Sequence, residues 1–259
     1  MTFSKHFVCY TTLIGLGLAA INGAYAQVST INSARITTRE FNDVPGSTLT
    51  VVSNYPSLIS FNDQVSAPSG FANRHVWRFS SNAGSTAYQF QNNDFFRVSM
   101  TLRLTASSIS PRKEAGFLFD TIGGQGQFLV NTDGHEIVAF GGPLPFYSFN
   151  ASNGLTYNSG DTITLGMNYF LDVNTGLRSV IYSANSSVSP ILAFSNTEQG
   201  IINGSTLGGY FQIQNASGNP ANSALASFSN ISIVPEPSTF ALLCLGIVPL
   251  GIALRRRCV

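Results

Sequence analysis

Apolar and polar residues alternate with a period of two along much of the chain. In the stretch FRVSMTLRL, Phe96, Val98, Met100, Leu102 and Leu104 alternate with Arg97, Ser99, Thr101 and Arg103. Successive side chains of a strand point to opposite faces, so this is the signature of a half-buried β-strand. Ile163, Leu165, Met167 and Tyr169 repeat the pattern in TITLGMNYF. GQFLVNTDGHEIVAFGG predicts a hairpin: two apolar runs flank Asp133-Gly134, a pair suited to the positive φ angles of a type I′ turn. YFLDVNTGLRSVIYS predicts another, turning at Asn174-Thr175-Gly176. Further strands are expected at GGYFQIQN and ALASFSNISI. No segment between Gln27 and Val234 carries sustained helical periodicity. Antiparallel strands joined by hairpins predict an all-β, two-sheet sandwich over residues 27–234.

The two ends of the chain break this pattern. Near the start, Lys5 and His6 precede an apolar run from about Leu13 to Ile21, and Ala24-Tyr25-Ala26 follows. Small residues at Ala24 and Ala26 suit signal peptidase, so residues 1–26 read as a secretory signal with Gln27 opening the mature chain. Near the other end, the fifteen residues from Phe240 to Leu254 carry no charge, and Arg255, Arg256 and Arg257 follow. As a helix the run would measure about 23 Å, short of the roughly 30 Å hydrocarbon core. Ser238 and Thr239 extend it, and the arginines reach the far headgroups. The arginines are expected on the cytoplasmic side and the sandwich outside. Pro249, between Gly246 and Gly251, weakens the helix, which suits a temporary anchor.

Before that run stand Pro235, Glu236 and Pro237, an extended tetrapeptide with Val234. Pro-Glu-Pro, an apolar span and a terminal arginine cluster resemble the PEP-CTERM sorting signal of Gram-negative, exopolysaccharide-producing bacteria. The resemblance covers residues 235–259. It implies an exosortase-type processing enzyme as partner and transient residence in the inner membrane. Transfer to the cell surface or extracellular matrix then follows, with polysaccharide or biofilm as the setting. These motif residues are elements of a substrate. The strand order of the middle also resembles the concanavalin-like (laminin-G-like) jelly roll, which implies a closing strand that pairs back near the domain's start.

Composition narrows the functions. The formal net charge of +1 offers no basic stripe for nucleic acid. Only 10% of residues are charged, against roughly 25% in ordinary soluble domains. Cys9, Cys244 and Cys258 all lie in the terminal segments, so residues 27–234 hold neither a disulfide nor a thiolate nucleophile.

Candidate chemistry is sparse. His135-Glu136 lacks the second histidine of a zinc-binding helix and falls in a predicted strand. The glycine-rich Gly123–Gln127 precedes a strand, which suits a loop better than a phosphate cradle. No E-x-D-x-x-E triplet of a laminarinase-type glycosidase is present. Glu114, Asp120, Asp133, Glu136, Asp161 and Asp172 are scattered, and most read as turn caps. Loop aspartates Asp120, Asp133 and Asp161 are the oxygen ligands a calcium ion would use, without EF-hand spacing; the metal is left open. Trp77, in the strand-like HVWRFSS, is expected in the core, while Tyr147, Tyr157 and Tyr210 offer aromatic surface. The expected function is therefore non-catalytic, with no cofactor. Two alternatives are a concanavalin-like glycosidase or lyase and a permanently anchored adhesin.

Overall fold

The computed structural model describes residues 28–65, 70–92, 94–194, 203–215 and 222–235. The predicted signal segment, and all of the 235–259 tail except Pro235, lie outside the described residues.

The domain is all-β, two antiparallel sheets packed as a jelly-roll-like sandwich. With strands numbered along the chain, the first sheet runs β1 (Ser33–Asn42), β4 (Ala72–Ser80), β14 (Thr206–Gln214), β6 (Lys113–Thr121), β7 (Gly124–Asn131), β8 (Ile137–Phe140), β9 (Tyr147–Ser148). The second runs β2 (Thr48–Asn54), β3 (Leu58–Val65), β15 (Asn222–Pro235), β5 (Phe96–Ala106), β10 (Thr162–Leu171), β11 (Arg178–Ala184), β12 (Ser187–Val188). The short β13 (Leu192–Ala193) also pairs with β11. A helix α1 (Phe149–Asn153) and a 3-10 turn η1 (Val28–Thr30) complete the described elements. None of these helices is long and apolar enough to cross a membrane.

The alternating residues of β5 and β10 all point into the core, as their spacing predicts. Trp77 is fully buried there, edge-on to Phe79 and Phe228 at 5.2 and 6.0 Å between ring centres. The closing strand β15 pairs with β3 on one side and β5 on the other, which is the return expected of the concanavalin-like pattern. The turn between β7 and β8 departs from expectation. It spans Thr132 to Glu136, and the positive φ of 54° falls on His135 instead of Gly134. Glu136 consequently sits just before β8, not within a strand. Gly124–Gln127 belong to β7, so Ile122-Gly123 turns a tight β6–β7 hairpin where a longer loop was expected.

A polar clasp ties the sheets together. His75 of β4 and Asp63 of β3 are both fully buried, and the imidazole Nε2 lies 3.0 Å from Asp63 Oδ2. The backbone N–H of Arg39 donates to His75 Nδ1 at 3.1 Å, which leaves Nε2 to carry the proton toward Asp63. Asn73 donates to the same carboxylate at 3.0 Å and to Ser47 Oγ at 2.9 Å. The His75 ring stacks between Phe61 and Phe211. Burial alone would raise the Asp63 pKa, but hydrogen bonds from His75, Ser47 and Asn73 outweigh it and hold the group below its ordinary 3.8.

At the strand edge, Lys113 is buried with its ammonium donating to the Ser108 carbonyl at 2.8 Å. Burial lowers its pKa to about 8, against a small opposing pull from Asp133.

Replacing His75 with Ala leaves Asp63 buried without its main donor and should cost about 3 kcal/mol in urea unfolding. The Asp63 contribution is complete above pH 4 and fades as pH falls through the lowered folded value, so Asp63→Asn should flatten the acid limb of stability. On the alkaline side, the unfolded chain holds the Lys113 proton longer than the folded one. Wild-type stability should therefore gain a rising component between pH 8 and about 10.5, absent from Lys113→Met.

Candidate functional site

The outward face of the first sheet carries the densest chemistry among the described residues. Residues of β4, β14, β6 and β7 that alternate with the core positions face away from it, and at the centre lies a second apolar cluster. Val76, Leu118, Leu129, Val138 and Tyr210 form it, all buried. Gly116 and Gly208 sit among them because the adjacent backbone leaves no room for a side chain. A Cβ would collide with the Phe128 carbonyl at Gly116 and with the Trp77 carbonyl at Gly208.

Charged side chains bracket this patch. Toward one end Arg78 donates to Glu40 and Asp120, both at 2.7 Å, while Gln125 and Thr206 also reach Asp120. Burial works against the Arg78 charge, but the hydrogen bond to Glu40 and the Asp120 carboxylate hold its pKa above the ordinary value. Arg74 bridges Gln125 at 3.0 Å and Glu40 at 3.7 Å. Toward the other end Arg112 gathers three carboxylates: Glu136 at 2.8 Å, Glu114 at 3.3 Å and Asp133 at 3.4 Å. Gln212 donates to Glu114 at 3.2 Å. Burial raises the Glu114 pKa, although Arg112 and the neighbouring Tyr210 hydroxyl pull it down. The Tyr210 hydroxyl is pushed well above 10.0, by burial first and then by the Glu114 charge.

The structure sorts the acids flagged in the sequence. Glu114, Asp133 and Glu136 meet around Arg112, whereas Asp120 stands at the opposite end of β6. Asp161 caps the backbone and side chain of Asn158, and Asp172 caps the β10–β11 turn through Asn174 and Thr175. Asp120, Asp133 and Asp161 therefore do not converge, and no group of three potential metal ligands occurs among the described residues. His135 Nδ1 lies 3.0 Å from the Tyr157 carbonyl. Tyr157 is buried and its hydroxyl accepts from the Leu104 N–H at 2.7 Å, while Tyr147 is half-buried and donates to Asn153. Sequence reading passed over Arg74, Arg78, Arg112 and Gln212. The polar phase of the strand holding Trp77 already carried the first two.

The chain ends form the other region of interest. Asn222 donates to the Gln214 carbonyl, so β14 ends where β15 begins. The β4 residue Ser80, at the opposite end of that sheet, accepts from Asn32, and η1 packs against β15. The first described residues and Pro235 thus leave the same end of the sandwich. Ile122, Val173 and Val234 are exposed there, at 82%, 69% and 48%. Of the sorting-motif and signal-cleavage residues, Pro235 alone is described; Glu236, Pro237, Arg255, Arg256, Arg257, Ala24, Ala26 and Gln27 lie outside the described residues.

The Arg112 cluster makes a direct prediction. Arg112→Met removes the one cation shared by Glu114, Asp133 and Glu136, so the Glu114 pKa should rise further, read by side-chain carboxyl NMR during a pH titration.

Among solved structures, the chain is similar to the alginate lyase from Klebsiella pneumoniae, at 12% identity over 74% of this chain and 85% of that one, TM-score 0.47. It is also similar to alginate lyase A1-II′, a member of polysaccharide lyase family-7, at 12% identity over 73% and 84%, TM-score 0.44. No curated protein matches the sequence. A family match falls on the C-terminus instead: residues 234–257 are a PEP-CTERM protein-sorting motif.

Proposed function

We propose that this is an exported, non-catalytic surface or extracellular-matrix protein, sorted by an exosortase-type enzyme through its C-terminal signal. The observation that carries the reading is the sorting motif at residues 234–257, joined without a linker to the last strand of a folded β-sandwich. Residues 1–26 direct export and are removed. The apolar run from Phe240 to Leu254 holds the precursor in the inner membrane, with Arg255, Arg256 and Arg257 on the cytoplasmic side. The processing enzyme then exchanges that anchor for a place on the cell surface or in the matrix. There the outward face bearing Arg74, Arg78 and Gln212 contacts polysaccharide, its neutral and charged donors and acceptors pairing with sugar hydroxyls and carboxylates.

A second reading, cleavage of polysaccharide, draws on one arrangement: Tyr210 and Glu114 lie together beside Arg112, a proton-transferring pair next to a cation. The two readings part on product. A binding protein retains polysaccharide without shortening it. An enzyme releases new chain ends, and loses that ability in Tyr210→Phe and Glu114→Gln.

Sorting is tested in the native host by fractionation and intact mass. Wild-type protein should appear outside the inner membrane without its tail. A variant with Pro235, Glu236 and Pro237 changed to Ala should accumulate at full length in the membrane fraction. Full-length wild-type protein in every fraction, with the processing enzyme present, overturns sorting and favours a permanently anchored adhesin.

A further inference from the structure

We infer that the sorting cut falls on the C-terminal side of Pro235, because the fold withholds every earlier bond. The inference rests on the sorting function proposed above. Strand β15 does not end before the motif. After a bulge between Ser229 and Ser232, it resumes pairing with β5: Ser232 opposite Ser99, Ile233 opposite Val98, Val234 opposite Arg97 and Pro235 opposite Phe96. Phe96 is fully buried, Ile231 is buried, and Ile233 packs against the core. The N–H of Ile231 donates to the Pro56 carbonyl at 3.0 Å, which pins the bulge. The first residue of the Pro-Glu-Pro motif is therefore the last rung of the strand that closes the second sheet.

A peptide-cleaving active site needs an extended segment with its carbonyl open to attack and room on both sides of the bond. Bonds within Ser232–Pro235 lack that room while β15 is in place: β3 pairing stops at Ser229, but β5 still lines the other edge through Pro235. Exposing them means stripping the ladder from β5 and bringing Ile233 into water. The first bond beyond the ladder joins Pro235 to Glu236. Only four residues, 236–239, separate Pro235 from the apolar run that starts at Phe240. Fully extended they span about 13 Å, so the enzyme works against the folded end of the sandwich. In the step itself, the carbonyl carbon of the residue before the cut gains a bond to water or an acceptor amine. The C–N bond breaks, and the tail leaves with the nucleophile's proton on its new amino terminus.

Two measurements on the full-length protein in its own host test this. Intact mass of the released form should give a C-terminus at Pro235 or later, as the free acid or with the mass of an added amine. An enzyme-dependent C-terminus at Val234 or earlier overturns the inference and leaves the sorting function standing. A mass running through Val259 in every fraction takes down the sorting function and this inference with it. The second measurement uses Arg97→Cys combined with Val234→Cys, which places a cross-strand disulfide on facing residues. Release at the wild-type rate with the disulfide intact is expected. Blocked release, restored by reductant, means the strand must peel before the cut and overturns the inference.

Discussion

The second sheet is held together by its last strand. In the order β2-β3-β15-β5-β10-β11, β15 is the sole bridge between the pair β2–β3 and the group beginning at β5. Its partners stand far back in the chain: Leu58 to Val65 on one side and Phe96 to Ala106 on the other. Closing such long-range pairs is entropically slow, and here it waits for the final strand. Phe228 packs beside Phe61 of its own sheet and reaches across to Trp77 of the other, which locks the finished sheet onto the first. A domain built this way completes itself only when the residues beside the sorting motif have arrived.

Polar groups serve two different ends on the two faces of β4. On the inner face His75 and Asn73 are spent on Asp63 Oδ2, and these buried bonds fix the alignment of one sheet on the other. On the outer face Arg74 and Arg78 reach over a small apolar floor toward side chains of β1, β6 and β7. The outer groups lie near the surface, where their bonds to each other exchange with bonds to water. The inner ones cannot exchange without opening the sandwich.

Much of this fold was legible in the sequence, and the unread part has physical causes. β5 and β10 announce themselves because one face is core and the other is solvent, so their alternation is strict. β6 does not alternate, since Leu118 on its outward side is buried beside Phe117 and Phe119 on the inward side. β1 is interrupted by an irregularity between Thr37 and Phe41, with Arg39 at a positive φ of 54°, which breaks its period. The Arg112 cluster was beyond reach for another reason. Arg112, Glu114, Asp133 and Glu136 come within contact distance only when the β6–β7 pair and the turn before β8 are formed. Each alone is an ordinary charge at a strand end. The C-terminal motif, by contrast, is local and linear, so order and spacing sufficed to recognise it.

The direction of β15 also determines how the domain meets a mechanical load. A pull on Pro235 acts along the strand, and β15 is flanked by antiparallel partners over Asn222–Ser229. If the opposing grip is on the outward face of the first sheet, the hydrogen bonds to β3 and β5 are strained in parallel, all at once. They resist as a shear joint does, not as a zipper opened from one end. A tether fixed at this terminus and a hold on the far sheet thus place traction across the strongest direction of the domain.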